Sequence, residues 1–147
     1  RWSRRPAYKN TLWRVSMLSM TPGFWKVSEL KLYQDEACTE KLGDDGLVPG
    51  GPTSSTSSEM GTHPKSNVFD DDTSTYWVSQ CTYPLPNTTK KGCGPREAWL
   101  GLDFSDIPVV VRCFRIFQTP LIPGAIASSN SNTHGFVLEG WNGGQYE

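Results

Sequence analysis

The sequence has almost no net charge, only two histidines and no apolar run long enough to cross a bilayer. A formal charge of −1 with a pI near 6.1 gives no global attraction to a polyanion, so nucleic acid is not expected as a partner. A spanning helix needs about 18 or more consecutive apolar residues, and no leader with an apolar centre stands at the start. The chain therefore reads as a mature or excised soluble piece. There is no Gly-x-Ser-x-Gly elbow, zinc helix motif or phosphate-binding loop, so no enzyme is expected. No window sustains a 3.6-residue apolar period, which argues against helical architecture.

What is present is aromatic and broken. The 147 residues include 14 Gly, 11 Pro and 6 Trp, the composition of short strands joined by loops within one domain. Arg1, Arg4, Arg5 and Lys9 form a basic tail over residues 1–10, ahead of a domain expected over 11–147.

Period-2 patterning marks the strands. In TLWRVSML, Trp13, Val15 and Met17 share one face, and Arg14 and Ser16 the other. In FWKVSELKLY, Trp25 and Val27 lie in one phase and Leu30 and Leu32 in the other. That change requires a bulge between Val27 and Leu30. AWLGLDF alternates Ala98, Leu100, Leu102 and Phe104 against Trp99, Gly101 and Asp103. VVVRCFRIFQ is apolar in both phases, as expected of a mid-sheet strand covered on two sides. FVLEGW leads into Asn142-Gly143-Gly144, a hairpin signal. Residues 43–66, rich in Gly, Pro, Ser and Thr, read as a long surface loop. The expected fold is all-β: an antiparallel β-sandwich with long loops.

The cysteines, Cys38, Cys81, Cys93 and Cys113, are even in number and lack a Cys-x-x-Cys pair, so disulfides are expected rather than zinc. Three connectivities are open, and the expected one is Cys81 with Cys93 and Cys38 with Cys113. The first pair brackets YPLPNTTKKG, a segment with too little apolar surface to hold itself down. Disulfides imply an extracellular, cell-surface or organelle-lumen setting. Asn87-Thr88-Thr89 in the same segment is an N-glycosylation acceptor, in keeping with a secretory route.

Residues 66–77, SNVFDDDTSTYW, carry a family resemblance through Asn67, Phe69, Asp70, Asp72, Thr75 and Trp77. Together with AWLGLDF, VRCFRIFQ and FVLEGWNGGQY in order, this stretch resembles the discoidin or coagulation-factor type C family, whose fold is a galactose-binding-like jelly roll. WRVSMLSMTPGFWKVSELKLYQD resembles the element that usually closes that domain, placed here at the front as in a permuted arrangement.

The resemblance implies a structural calcium ion in the acidic loop, with Asp70, Asp72 and Thr75 as ligands and Glu139 reaching it from a late strand, while Asp71 points elsewhere. The alternative is that Asp70 and Asp72 cap a turn by accepting backbone N–H groups. Trp77 and Trp99 fall where the family places core aromatics. A ligand face is expected at the loop ends, with His63, Tyr83, Arg96 and His134 as candidate contacts.

Three functions follow as expectations. The first is a non-catalytic module that binds a glycan or another surface group. The second is a structural subunit that docks onto a larger complex through a protein partner. The third is an anionic-lipid binder using Leu85, Leu121 and Ile122 beside Lys90 and Lys91.

Overall fold

The structure, a computed structural model, describes residues 9–43, 53–56, 59–118 and 135–141. Alternating apolar residues make β1 (Leu12–Met17) a strand with Trp13, Val15 and Met17 buried on one face. The next strand, β2 (Lys26–Tyr33), changes phase as expected, with its register slipping between Val27 and Glu29. The irregularity buries both faces locally, so Val27, Ser28, Glu29 and Leu30 are each at most 1% exposed.

Within the expected loop of residues 43–66 lies a short strand, β3 (Thr53–Thr56), paired with a later strand. This corrects the reading of an unbroken loop: a Ser/Thr segment with no apolar pattern forms a ladder when a neighbour offers free backbone groups. A single 3₁₀ turn (Lys65–Val68) follows, burying Val68. Then come β4 (Trp77–Val78), the small hairpin strands β5 (Tyr83–Pro84) and β6 (Lys91–Gly92), β7 (Trp99–Asp103), β8 (Cys113–Gln118) and β9 (Phe136–Gly140).

The described strands form a four-stranded sheet in the order β3-β7-β1-β9, a three-stranded sheet in the order β4-β2-β8, and the β5-β6 hairpin. All pairings are antiparallel. One apolar core joins the two larger sheets: Trp13, Val15, Met17, Leu100 and Leu102 come from the first, and Val27, Leu30, Leu32 and Trp77 from the second. This is the architecture of a β-sandwich. Trp25 and Trp77 meet edge to face at its centre, ring centroids 5.7 Å apart, a geometry favoured by the aromatic quadrupole.

Two expectations about individual strands are corrected. In the order of described strands, β8 stands last rather than in the middle, and Arg115 and Phe117 are exposed. Its continuous apolar sequence arises because Val109 and Val111 enter the core from the segment before the strand. Trp99 is not a core residue. It lies half-buried on the outer face of β7, out of phase with buried Leu100 and Leu102, with the Arg14 guanidinium 5.3 Å from its ring centroid. Trp77, by contrast, is fully buried.

Both expected disulfides are present. Cys81–Cys93 and Cys38–Cys113 have Cα separations of 5.0 and 5.5 Å, within the usual range. Two disulfides in a domain of this size suit an oxidising compartment. No helix among the described residues is long and apolar enough to cross a membrane. Asn10, assigned from sequence to the tail, is buried and bridges to Val109. Residues 1–8 and the Asn142-Gly143-Gly144 turn lie outside the described residues, as do Leu121 and Ile122.

Candidate functional site

The loop between the 3₁₀ turn and β4 is built by its own side chains. Asp70 Oδ1 accepts the N–H of Asp72 at 3.0 Å, and Asp72 Oδ1 accepts the N–H and hydroxyl of Ser74 at 2.9 and 2.6 Å. These are the turn-capping bonds expected of aspartate. They use one oxygen of Asp70 and leave the other to Thr75.

That second oxygen belongs to a crowded group. The Thr75 hydroxyl lies 2.7 Å from Asp70 Oδ2, 3.0 Å from the Asp72 carbonyl and 3.2 Å from the Asn67 carbonyl. A hydroxyl has one proton, so it can donate to only one of these three acceptors at a time.

Beneath the loop lies Glu29, at the irregularity in β2 and 1% exposed. Its Oε1 has no hydrogen-bond partner. Burial raises its pKa to about 7, and a side-chain bond to Asp70 adds to the rise.

Asp71, at a positive φ of 60°, turns away as expected. It pairs with Lys31 at 2.6 Å and Lys41 at 3.0 Å. Hydrogen bonds from these two lysines hold its carboxyl below the usual range. The lysines thus tie the outside of the loop to β2 and to the segment after it.

Several oxygens of the kind a hard divalent cation takes lie at this loop. Calcium takes about 6 to 8 oxygens from carboxylates, hydroxyls and main-chain carbonyls. Here Glu29, Asp70 Oδ2, Thr75 Oγ1 and the carbonyls of Asn67 and Asp72 are such oxygens, and Glu29 Oε1 is a buried acceptor without a donor. Among the described residues no three His, Cys, Asp or Glu side chains gather as a metal-binding group, so any such site relies on main-chain and hydroxyl oxygen.

Two of the ligand assignments made from sequence are corrected. The Asp72 carboxylate is engaged by Ser74, and it is the Asp72 main-chain carbonyl that faces Thr75. Glu139 does not reach the acidic loop. It lies on β9, buried, and accepts from Arg14 at 2.8 Å, from Ser16 at 2.7 Å and from Arg96. Burial would raise its pKa, but Ser16 and the two arginines outweigh that and hold it low. The carboxylate that approaches Asp70 is Glu29, which sequence reasoning passed over.

No family model, curated protein or solved structure matches the chain.

The candidate ligand contacts separate into two places. Arg96 lies in the turn at residues 94–97, and Tyr83 packs beside it. The Tyr83 ring packs where a side chain on Gly94 would stand, and Arg96 donates its backbone N–H to the Met17 carbonyl at 2.8 Å. His63 instead stacks on Tyr76, ring centroids 4.4 Å apart, with Lys26 on the same tyrosine. His134 lies outside the described residues.

Glu97 holds the Tyr83 side of the domain together and was also missed. Its carboxylate accepts the Thr82 N–H and hydroxyl and the Gly94 N–H, clamping the two ends of the Cys81–Cys93 segment. Burial alone would raise its pKa, but these bonds draw it down.

Proposed function

We propose that the chain is a non-catalytic recognition domain of the discoidin or coagulation-factor type C kind, working outside the cytoplasm and binding a glycan or another surface ligand through loops of its sandwich. The observation that carries this reading is the oxygen group around Thr75 and buried Glu29. Every member of it falls in one of two of the stretches that resemble the family, SNVFDDDTSTYW and the VSELKLY part of WRVSMLSMTPGFWKVSELKLYQD.

In this reading Glu29, Asp70, Thr75 and the carbonyls of Asn67 and Asp72 hold calcium. A bound ion would favour the ionised form of Glu29, whose pKa burial raises, and would tie the loop to β2. The protein's own part is to present its loops on a rigid frame, with disulfides closing the segments at Cys81–Cys93 and Cys38–Cys113. Tyr83 offers a 40% exposed ring and Arg96 an exposed guanidinium. An aromatic face and charged donors of this kind suit a sugar ring with its hydroxyls.

The test is a glycan array probed with the oxidised, calcium-loaded chain. Binding that is lost in Y83A or R96A, with each variant still showing a cooperative thermal transition, is the expected result. Binding to no glycan, with retention on a protein partner, would instead favour the docking-subunit reading. That second reading has its own support in Leu18 and Met20, which are 40% and 44% exposed between β1 and β2.

A further inference from the structure

We propose that Asn87 is a site of N-linked glycosylation and that the domain carries one such glycan, at the tip of the β5-β6 hairpin. Asn87-Thr88-Thr89 is the only Asn-x-Ser/Thr in the sequence, and Thr at its middle position satisfies the exclusion of proline there. The tripeptide alone recurs by chance, so its place in the fold decides the matter.

The hairpin is short. Tyr83 and Pro84 pair with Gly92 and Lys91, and the Leu85 N–H closes the turn on the Lys90 carbonyl at 3.2 Å. Asn87 lies at the apex with φ at +60°, a conformation that asparagine tolerates better than most residues. The Thr88 hydroxyl accepts the Lys90 N–H at 3.1 Å, so Thr88 is used by the turn while Asn87 and Thr89 remain exposed.

The segment's attachments are all at its base. Cys81 and Cys93 are bridged, Thr21 exchanges backbone hydrogen bonds with Cys93, and Glu97 clamps Thr82 and Gly94. Leu85, the one apolar residue between the strands, turns back against Gly92. A bulky hydrophilic group at the apex therefore displaces no packed side chain and breaks no ladder bond. The enzymes that transfer such glycans work in the same oxidising lumen that forms the Cys81–Cys93 bridge.

The donor is a lipid-diphosphate-linked oligosaccharide. The carboxamide nitrogen of Asn87 forms a C–N bond to the anomeric carbon of the sugar, and the bond from that carbon to the diphosphate oxygen breaks. The lipid diphosphate leaves with the electron pair, and the nitrogen gives up one proton. No oxidant or reductant takes part.

The test is to direct the whole chain into the secretory lumen of a eukaryotic cell and recover it, secreted or retained. Digestion with a peptide N-glycanase should increase its gel mobility, and peptide mass spectrometry should find Asn87 converted to Asp. T89A and T88P, which keep the asparagine but spoil the acceptor, should each abolish the mobility change, whereas T89S should keep it. Recovered chain with both disulfides formed and Asn87 bare would overturn the proposal. The outcome is independent of ligand binding and of calcium, so failure of the recognition reading leaves it standing.

Discussion

Glu29 and Asp70 meet carboxyl to carboxyl, one at the buried irregularity of β2 and the other in the exposed loop after the 3₁₀ turn. Neither local sequence explains the contact, which adds to the burial that raises the Glu29 pKa. Calcium should therefore raise the thermal midpoint of the wild-type chain, since a ligand that binds only the folded state stabilises it by mass action. E29Q and D70N should each abolish most of that rise, whereas D71N should keep it. Differential scanning fluorimetry against calcium concentration reads all three.

In chelator the same pair should produce an unusual pH dependence. The Glu29 pKa is about 7 in the fold against 4.5 unfolded, so between these values the native chain holds more protons. Its stability is then complete below about pH 4.5 and is lost as pH rises through about 7, on the order of 3 kcal/mol at about 1.4 kcal/mol per tenfold change in proton activity. The depressed carboxyls of Glu97 and Glu139 act in the opposite sense, and their contribution disappears as pH falls. Urea titrations of E29Q beside wild type separate the two. E29Q should lose the decline towards neutral pH and be the more stable protein at pH 8 without calcium.

The arginine pair on the outer face gives an asymmetric expectation. Glu139 is 4% exposed and accepts from Arg14, Ser16 and Arg96. E139L should cost about 3 kcal/mol, because it removes the buried carboxylate that accepts from Arg14, Ser16 and Arg96. R96A should cost about 1 kcal/mol or less, since the Arg96 side chain is 56% exposed and solvent screens its charge. Chemical denaturation midpoints check the contrast.

The two disulfides should differ in worth according to the length of chain they close. Cys81–Cys93 spans 12 residues and Cys38–Cys113 spans 75. In the chain-entropy picture these correspond to roughly 3 and roughly 4 to 5 kcal/mol. C81S/C93S should fold with a lowered midpoint, and C38S/C113S should fall further. Equal losses would indicate that local packing around Ser79 and Glu97, rather than loop closure, sets the value of the shorter bridge.

Most strands were legible because alternation is a local property. Trp13, Val15 and Met17 face the core by their spacing alone, and the change of phase between Val27 and Leu30 required the irregularity that β2 contains. The β3 strand was not legible, since its Ser/Thr sequence has no apolar pattern and its ladder depends on β7. Trp99 misled for a related reason. The family resemblance suggested the core, yet its phase, opposite to Leu100 and Leu102, already placed it outside.

The acidic loop was half visible. Asp70, Asp72 and Thr75 announce an oxygen-rich turn by residue type, and the turn forms through bonds between near neighbours in the chain. Glu29 gave no comparable sign, being one charged residue in an alternating strand. The signal that could have found it was the phase change itself, which leaves a charged side chain nowhere to go but inward.

Alternation, breakers and paired cysteines thus determined by sequence alone that this chain is a disulfide-braced β-sandwich, because each acts through backbone geometry or a covalent bond. Only the tertiary structure decided which carboxylate meets Asp70 and which meets Arg14 and Arg96. Those partners come from distant strands, and their pairing depends on sheet order and register, which no window of sequence contains.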